Sequence, residues 1–101
     1  MRVSYSKRAR SDLLSLFEHL AKSSPSGATN VMTAIYAAIS FVERNPQAAP
    51  AATVPNVRVK VVQKYNFKVF YRVIDDGNGV EIVHVRHMAR RPWGGERGRM
   101  G

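Results

Sequence analysis

The most reactive side chains of this sequence lie close together near its C-terminal end, in the stretch Val85-Arg86-His87-Met88-Ala89-Arg90-Arg91-Pro92-Trp93. Arginine binds carboxylates and phosphates in bidentate geometry, and His87 can exchange a proton near neutral pH. A histidine at a strand end can equally be a hydrogen-bonded structural residue. Trp93 can stack on a nucleobase or cap the edge of a sheet. The stretch therefore predicts either a functional surface or a structural strand ending.

A second set of basic side chains lies on segments that alternate with apolar residues. Arg58 and Lys60 alternate with Val57, Val59 and Val61, so they share one face of a predicted strand. Basic residues on the neighbouring predicted strands are Lys68, Arg72, His84 and Arg86. If four of these cluster, they form a concave cationic surface suited to phosphate. The alternative is that they only solvate the open face of a sheet.

The charge balance limits the kind of partner. The chain of 101 residues has 16 Lys and Arg against 7 Asp and Glu, a net charge of +9 at pH 7. Ten of these basic residues follow residue 56. Such an excess indicates a polyanion or an acidic protein partner.

Other features argue against metal, cofactor and membrane functions. The chain has no cysteine, and its three histidines, His19, His84 and His87, do not have the spacing of a metal site. We expect no metal and no cofactor. No segment has the apolar run of a secretory signal or the ~20 apolar residues of a membrane span. The prediction is a cytoplasmic protein with no membrane partner.

Two amphipathic helices are predicted in the first half. A short strand at residues 2–5 precedes Ser6, which is placed to cap a helix beginning at Lys7. The first helix carries an apolar stripe, leaves Arg8 and Asp12 to solvent, and ends near Ser23-Ser24-Pro25. Its stripe consists of Ala9, Leu13, Leu16, Phe17 and Leu20. Ser26 is expected to cap the second helix, which runs to about Arg44 before Asn45-Pro46 stops it.

The second half predicts strands. An Ala- and Pro-rich loop at residues 47–56 leads to strands at about 57–61, 67–74 and 80–86. The turn at 75–79 offers Gly and Asn for positive φ. The prediction is an α+β fold of order β-α-α-β-β-β, with a helical hairpin on one face of a twisted antiparallel sheet and the other face largely free. We expect residues 1–93 to form one domain and residues 94–101 to form a disordered basic tail.

Several short motifs follow one another with a distinctive order and spacing. They are the opening strand, the helix start Ser6-Lys7-Arg8-Ala9 with Asp12-Leu13, the stop Asn45-Pro46, the strand Phe70-Tyr71-Arg72-Val73, and the ending from Val83-His84-Val85-Arg86-His87 to Arg90-Arg91-Pro92. Together they resemble the RelE/ParE toxin family across about residues 2 to 93. The resemblance implies a type II toxin neutralised by a cognate antitoxin, either ParD-like or another ribbon-helix-helix protein.

The resemblance leaves two targets open. RelE-like members cleave mRNA on the ribosome with basic sheet residues, and the matching positions here are Arg58, Lys60 and Lys68, with Arg86 or Arg90 behind them. The C-terminal tyrosine of that set is missing, and Trp93 lies nearest to its place. The ending looks more like the ParE branch, whose members poison DNA gyrase without a nuclease centre. That branch implies a target-binding set of Arg72, His87, Arg90, Arg91 and Trp93. A nucleic-acid-binding module outside any toxin system is a third possibility.

Overall fold

Two helices pack on one face of a four-stranded sheet in the computed structural model, which describes residues 2–89. The elements are β1 (Arg2–Tyr5), α1 (Lys7–Ser23), α2 (Pro25–Arg44), β2 (Arg58–Val62), β3 (Phe67–Ile74) and β4 (Gly79–His87). Arg90, Arg91, Trp93 and the predicted tail 94–101 lie outside the described residues. The predicted element order is confirmed.

Serine side chains cap both helices, although one of them is not the serine we predicted. Ser6 Oγ accepts a hydrogen bond from the Ala9 N–H at 3.0 Å, as expected for the start of α1. At α2 the cap is Ser24, whose Oγ accepts from the Gly27 N–H at 3.0 Å. The prediction of Ser26 is wrong because Pro25 already occupies the first helical turn, where its missing N–H costs nothing.

The sheet has the order β1-β4-β3-β2 and is mixed. β2, β3 and β4 form the predicted antiparallel meander, whereas β1 runs parallel to β4, with Val3 opposite Val80 and Tyr5 opposite Ile82. Alternation in a sequence indicates which side chains share a face, but it does not indicate which strand is the neighbour or its direction. The expectation of a wholly antiparallel sheet therefore missed the pairing of β1.

The turn between β3 and β4 places positive φ only partly on the residue types that were predicted. Asp75, Asp76 and Gly77 have φ of 54°, 53° and 92°, while Asn78 has φ of −95°. Aspartate tolerates the left-handed region better than most residues because its short polar side chain can bond to the local backbone. Gly77 therefore has the predicted role, and Asn78 does not.

The core lies between the two helices and the inner face of the sheet. Ile35 and Val42 from α2 pack there with Val69, Tyr71 and Ile82 from the strands, all of them fully buried. The Tyr71 hydroxyl donates a hydrogen bond to the Pro46 carbonyl at 2.8 Å, and burial raises the pKa of that phenol. This bond ties the start of the connecting loop to the middle of the sheet.

Candidate functional site

The basic residues of the sheet divide between its two faces. Arg58 lies opposite Tyr71 and Lys60 opposite Val69, so both are on the side that carries the helices. Lys68 lies opposite Arg86, and these two are on the outer side of the sheet. The four described residues that match the RelE-type set therefore do not converge on one surface.

Arg58 and Lys60 both contact neighbouring parts of the fold. The Arg58 guanidinium donates to the Ala49 carbonyl at 2.6 Å and to Gln47 Oε1 at 2.8 Å, which pins the connecting loop against β2. Lys60 Nζ lies 4.5 Å from the centroid of the Phe41 ring on α2, a cation–π contact. Both side chains therefore make contacts within the fold.

The outer face of the sheet is closed at its centre. Phe70 is fully buried there, and His84 and Arg86 are only 5% and 9% exposed. The Arg86 guanidinium donates to the His87 carbonyl at 2.9 Å and lies 6.0 Å from the Phe70 ring centroid. The prediction of a largely free outer face is therefore wrong in this region, where an aromatic ring and a folded-back arginine fill the centre.

A buried polar network joins α1 to β4. Asp12 Oδ2 accepts hydrogen bonds from His84 Nδ1 at 2.7 Å and from the Val85 N–H at 3.0 Å. Burial lowers the pKa of His84, although its hydrogen bond to Asp12 opposes that shift. Arg8 Nε lies 3.1 Å from the same His84 nitrogen. A nitrogen whose proton goes to Asp12 cannot also accept, so Arg8 acts there as a neighbouring charge. The expectation that Asp12 faces solvent is wrong.

The two described members of the ParE-type target-binding set lie apart. Arg72 is exposed on the outer face and pairs with Glu81, its Nε lying 3.1 Å from Oε1. His87 is half-buried, packs edge-to-face on Phe67 at 5.0 Å, and its Nδ1 accepts from the Ala89 N–H. Phe67 pairs with His87 and lies five residues from Arg72 on β3, which is roughly 16 Å along a strand. These two side chains therefore do not share a contact patch.

A long apolar groove opens between α1 and α2 on the surface of the hairpin. Leu14, Phe17 and Tyr36 are 60%, 43% and 44% exposed there, which is unusual for large apolar side chains grouped together. The groove has a volume of about 810 Å³. Its lining consists of Tyr5, Arg10, Leu13, Leu14, Phe17, Thr29, Met32, Thr33 and Tyr36. It can receive an amphipathic segment of another protein.

Among the described residues 2–89, no group of His, Asp and Glu side chains could hold a metal ion. Within the same part of the chain, neither helix is long and apolar enough to cross a membrane. The hairpin groove and the ending of β4 are candidate interaction surfaces.

The sequence decides the family. Residues 3–92 match the family model described as the ParE toxin of the type II toxin–antitoxin system parDE. The chain belongs to the ParE toxin family. The resemblance inferred from the short motifs is therefore confirmed. Membership of a toxin–antitoxin family implies a cognate antitoxin for this ParE-family toxin.

Solved structures support the fold of this ParE-family toxin. The chromosomal ParDE toxin–antitoxin system from P. aeruginosa is similar with a TM-score of 0.72 and 20% identity, over 86% of this chain and 95% of that one. The intact E. coli RelBE complex is similar with a TM-score of 0.57 and 16% identity, over 87% of this chain and 96% of that one. The isolated E. coli RelE toxin is similar with a TM-score of 0.57 and 15% identity, over 88% of this chain and 85% of that one. No curated protein sequence matches the chain.

Two features of this ParE-family toxin were not predicted from its sequence. Phe17 was assigned to the core and Leu14 and Tyr36 to neither side, yet all three line the groove. The signal was available, because Leu14 and Phe17 widen the apolar stripe of α1 beyond what one buried face requires. The role of Asp12 was beyond sequence analysis, because its two partners lie 72 and 73 residues away.

Proposed function

We propose that this ParE-family toxin arrests growth by binding and poisoning DNA gyrase, and that its cognate antitoxin neutralises it. The observation that carries the proposal is the division of the RelE-type basic set between two faces of the sheet. A nuclease stabilises one scissile phosphate and needs its cations around one point. An inhibitor that acts by binding needs only a complementary surface.

The proposed gyrase-binding surface is the basic ending of β4 and the residues that follow it. His87 and Arg86 bring the chain out of the sheet, and Arg90, Arg91 and Trp93 continue the sequence. Arg86 itself is folded back on the strand ending. The later side chains of this basic stretch are therefore the ones we assign to the target. Arg72, on the outer face, is a secondary candidate.

We assign the antitoxin to the hairpin groove. Its exposed leucine and aromatic side chains fit the apolar face of an amphipathic helix, in the manner of helix-in-groove recognition. Arg10 in the groove lining and the net charge of +9 favour acidic residues on that helix. We propose a ParD-like or other ribbon-helix-helix antitoxin that supplies this helix.

Two assays on the same purified protein test the target. We expect the chain to inhibit supercoiling by gyrase and to leave translated mRNA uncut in a ribosome assay. Arg90→Glu combined with Arg91→Glu should abolish inhibition by reversing the charge of the ending. Arg44→Glu, an exposed change at the end of α2, is the control and should retain it. Discrete mRNA cuts that disappear in Arg58→Ala would instead establish the RelE-like alternative.

Growth and binding assays test the antitoxin. Expression of the chain alone should arrest bacterial growth, and co-expression of the antitoxin encoded beside it should restore growth. Leu14→Glu should weaken antitoxin binding by at least about tenfold, because it places a charge in the centre of an apolar contact. Ser15→Glu adds the same charge at the adjacent exposed position of α1 and should bind normally. Equal binding by both variants would remove the groove as the antitoxin site.

A further inference from the structure

The edge of β4 is covered by two different elements in succession. β1 pairs with β4 only as far as Tyr5 and Ile82, and the Ser6 N–H then donates to the Ile82 carbonyl at 2.9 Å. Beyond that point the chain turns into α1. Further along this edge, the Val85 N–H donates to Asp12 Oδ2 at 3.0 Å. A carboxylate on a helix thus replaces the backbone carbonyl that a longer β1 would provide.

The covered edge coincides with a β-bulge. Tyr71 pairs with Ile82, whereas the preceding residue Phe70 pairs with His84, so Val83 is an extra residue in β4. The Val83 carbonyl accepts a hydrogen bond from Ser6 Oγ at 3.0 Å. Asp12 then holds both residues that follow the bulge, through the His84 side chain and the Val85 backbone.

This bulge decides which face each later residue of β4 occupies. Val80 and Ile82 face the core before the bulge, and strict alternation would continue that face with His84 and Arg86. With Val83 as an extra residue, Val85 enters the core instead, and His84 and Arg86 move to the outer face. A bulge displaced along the strand would exchange the faces of Arg86 and His87.

We propose that Asp12 is a positioning residue, which locks the bulge at Val83 and thereby sets which face of the sheet Arg86 and His87 each occupy at the end of β4. The inference rests on the proposed function in one respect, the assignment of the ending of β4 to the target. Asp12 acts through His84 and Val85 and does not itself touch the target. The network also explains why a carboxylate is half-buried in a strongly basic chain: one oxygen serves two donors, beside the charge of Arg8.

The test compares Asp12→Ala and Asp12→Asn with the control Glu18→Gln, an exposed carboxylate on the same helix. NMR on the full chain reports the amide exchange rate of Val85, the tautomer of His84, and the cross-strand contact between the rings of His84 and Phe70. In Asp12→Ala we expect Val85 exchange to rise on the order of tenfold or more and the ring contact to be lost. Asp12→Asn keeps one acceptor oxygen and should show a smaller rise. Asp12→Asn also tests the proposal if Asp12→Ala does not fold.

The functional arm measures growth arrest and antitoxin binding by the same variants. Growth arrest should fall by about tenfold or more in Asp12→Ala, while binding of the antitoxin in the groove stays within about twofold of the unaltered chain. Unchanged Val85 exchange together with a retained His84–Phe70 contact would overturn the proposal. Full toxicity in a variant that has lost the register of β4 would also overturn the proposal. Failure of the unaltered chain to inhibit gyrase would contradict the proposed target alone, because the register and growth measurements do not involve purified gyrase.

Discussion

The imidazole of His84 lies nearly parallel to the ring of Phe70, with 5.6 Å between centroids and 22° between planes. Both rings are buried on the face of the sheet that lacks the helices. The apolar ring and the surrounding burial disfavour the charged imidazolium, and the charges of Arg8 and Arg86 act in the same direction. The Asp12 carboxylate opposes these effects, but the pKa of His84 is still lowered. His84 is therefore a neutral donor at neutral pH, and its charge state affects stability.

The first prediction concerns pH. The pKa of His84 lies below its ordinary value of 6.5 in the folded chain, so the unfolded chain binds more protons between the two values. The stability that this histidine contributes is complete above pH 6.5 and is lost as the pH falls from 6.5 to the folded pKa. In urea unfolding, the free energy of unfolding should fall less between about pH 7.5 and about pH 5.5 in His84→Gln than in the unaltered chain. His19→Gln, an exposed change on α1, is the control and should show the same fall in the free energy of unfolding as the unaltered chain. Identical losses in all three proteins would contradict this prediction.

The second prediction concerns Arg58 and separates a structural from a catalytic role. Arg58→Met removes the hydrogen bonds to Gln47 and to the carbonyl of Ala49, and should lower the free energy of unfolding by about 1–3 kcal/mol. Arg44→Met, at an exposed helix end, should change it by less than about 0.5 kcal/mol. Denaturant unfolding of both variants provides the measurement. If Arg58→Met were as stable as the unaltered chain, the loop contact would carry no stability and a catalytic role would regain support.

The third prediction uses two neighbouring serines. Ser24→Ala removes the side-chain acceptor of the Gly27 N–H and should cost about 1 kcal/mol of stability. Ser26→Ala changes a residue within the first turn of α2, so it should cost much less. Thermal and urea unfolding of the two variants gives the comparison. A larger effect at Ser26 than at Ser24 would show that α2 is capped differently in solution.

The fourth prediction concerns the rate at which the antitoxin binds. A chain of net charge +9 should attract an acidic partner over a distance of about 10 Å at 0.1 M salt, and less as salt rises. The association rate measured by stopped flow should therefore fall between about 50 mM and about 500 mM salt. Arg10→Gln should reduce that dependence, because Arg10 lines the groove itself. An association rate that does not change with salt would exclude electrostatic steering.

Several features were determined by the sequence alone because they depend on residues near one another in the chain. The helical periodicity of residues 7–23, the cap at Ser6 and the strand Phe67–Ile74 all arise from contacts within a few positions. The motifs that resemble the RelE/ParE family also lie within short stretches, and the family match over residues 3–92 confirmed them. Net charge is a property of composition, so the expectation of an acidic or polyanionic partner needed no structure.

The faces of the basic residues were decided only by the tertiary structure. Alternation places Arg58 and Lys60 together, but it does not indicate that their face packs against the helices. Val83 has no partner in the β3–β4 register, so the residues after it in β4 face the opposite sides of the sheet from those that strict alternation predicts. No local sequence pattern indicates this bulge. Asp12, which bonds to the two residues after the bulge, lies 73 residues before Val85, and a contact over that separation forms only when helix and strand pack. The sequence determined which groups this toxin carries, and long-range packing decided which of them act together.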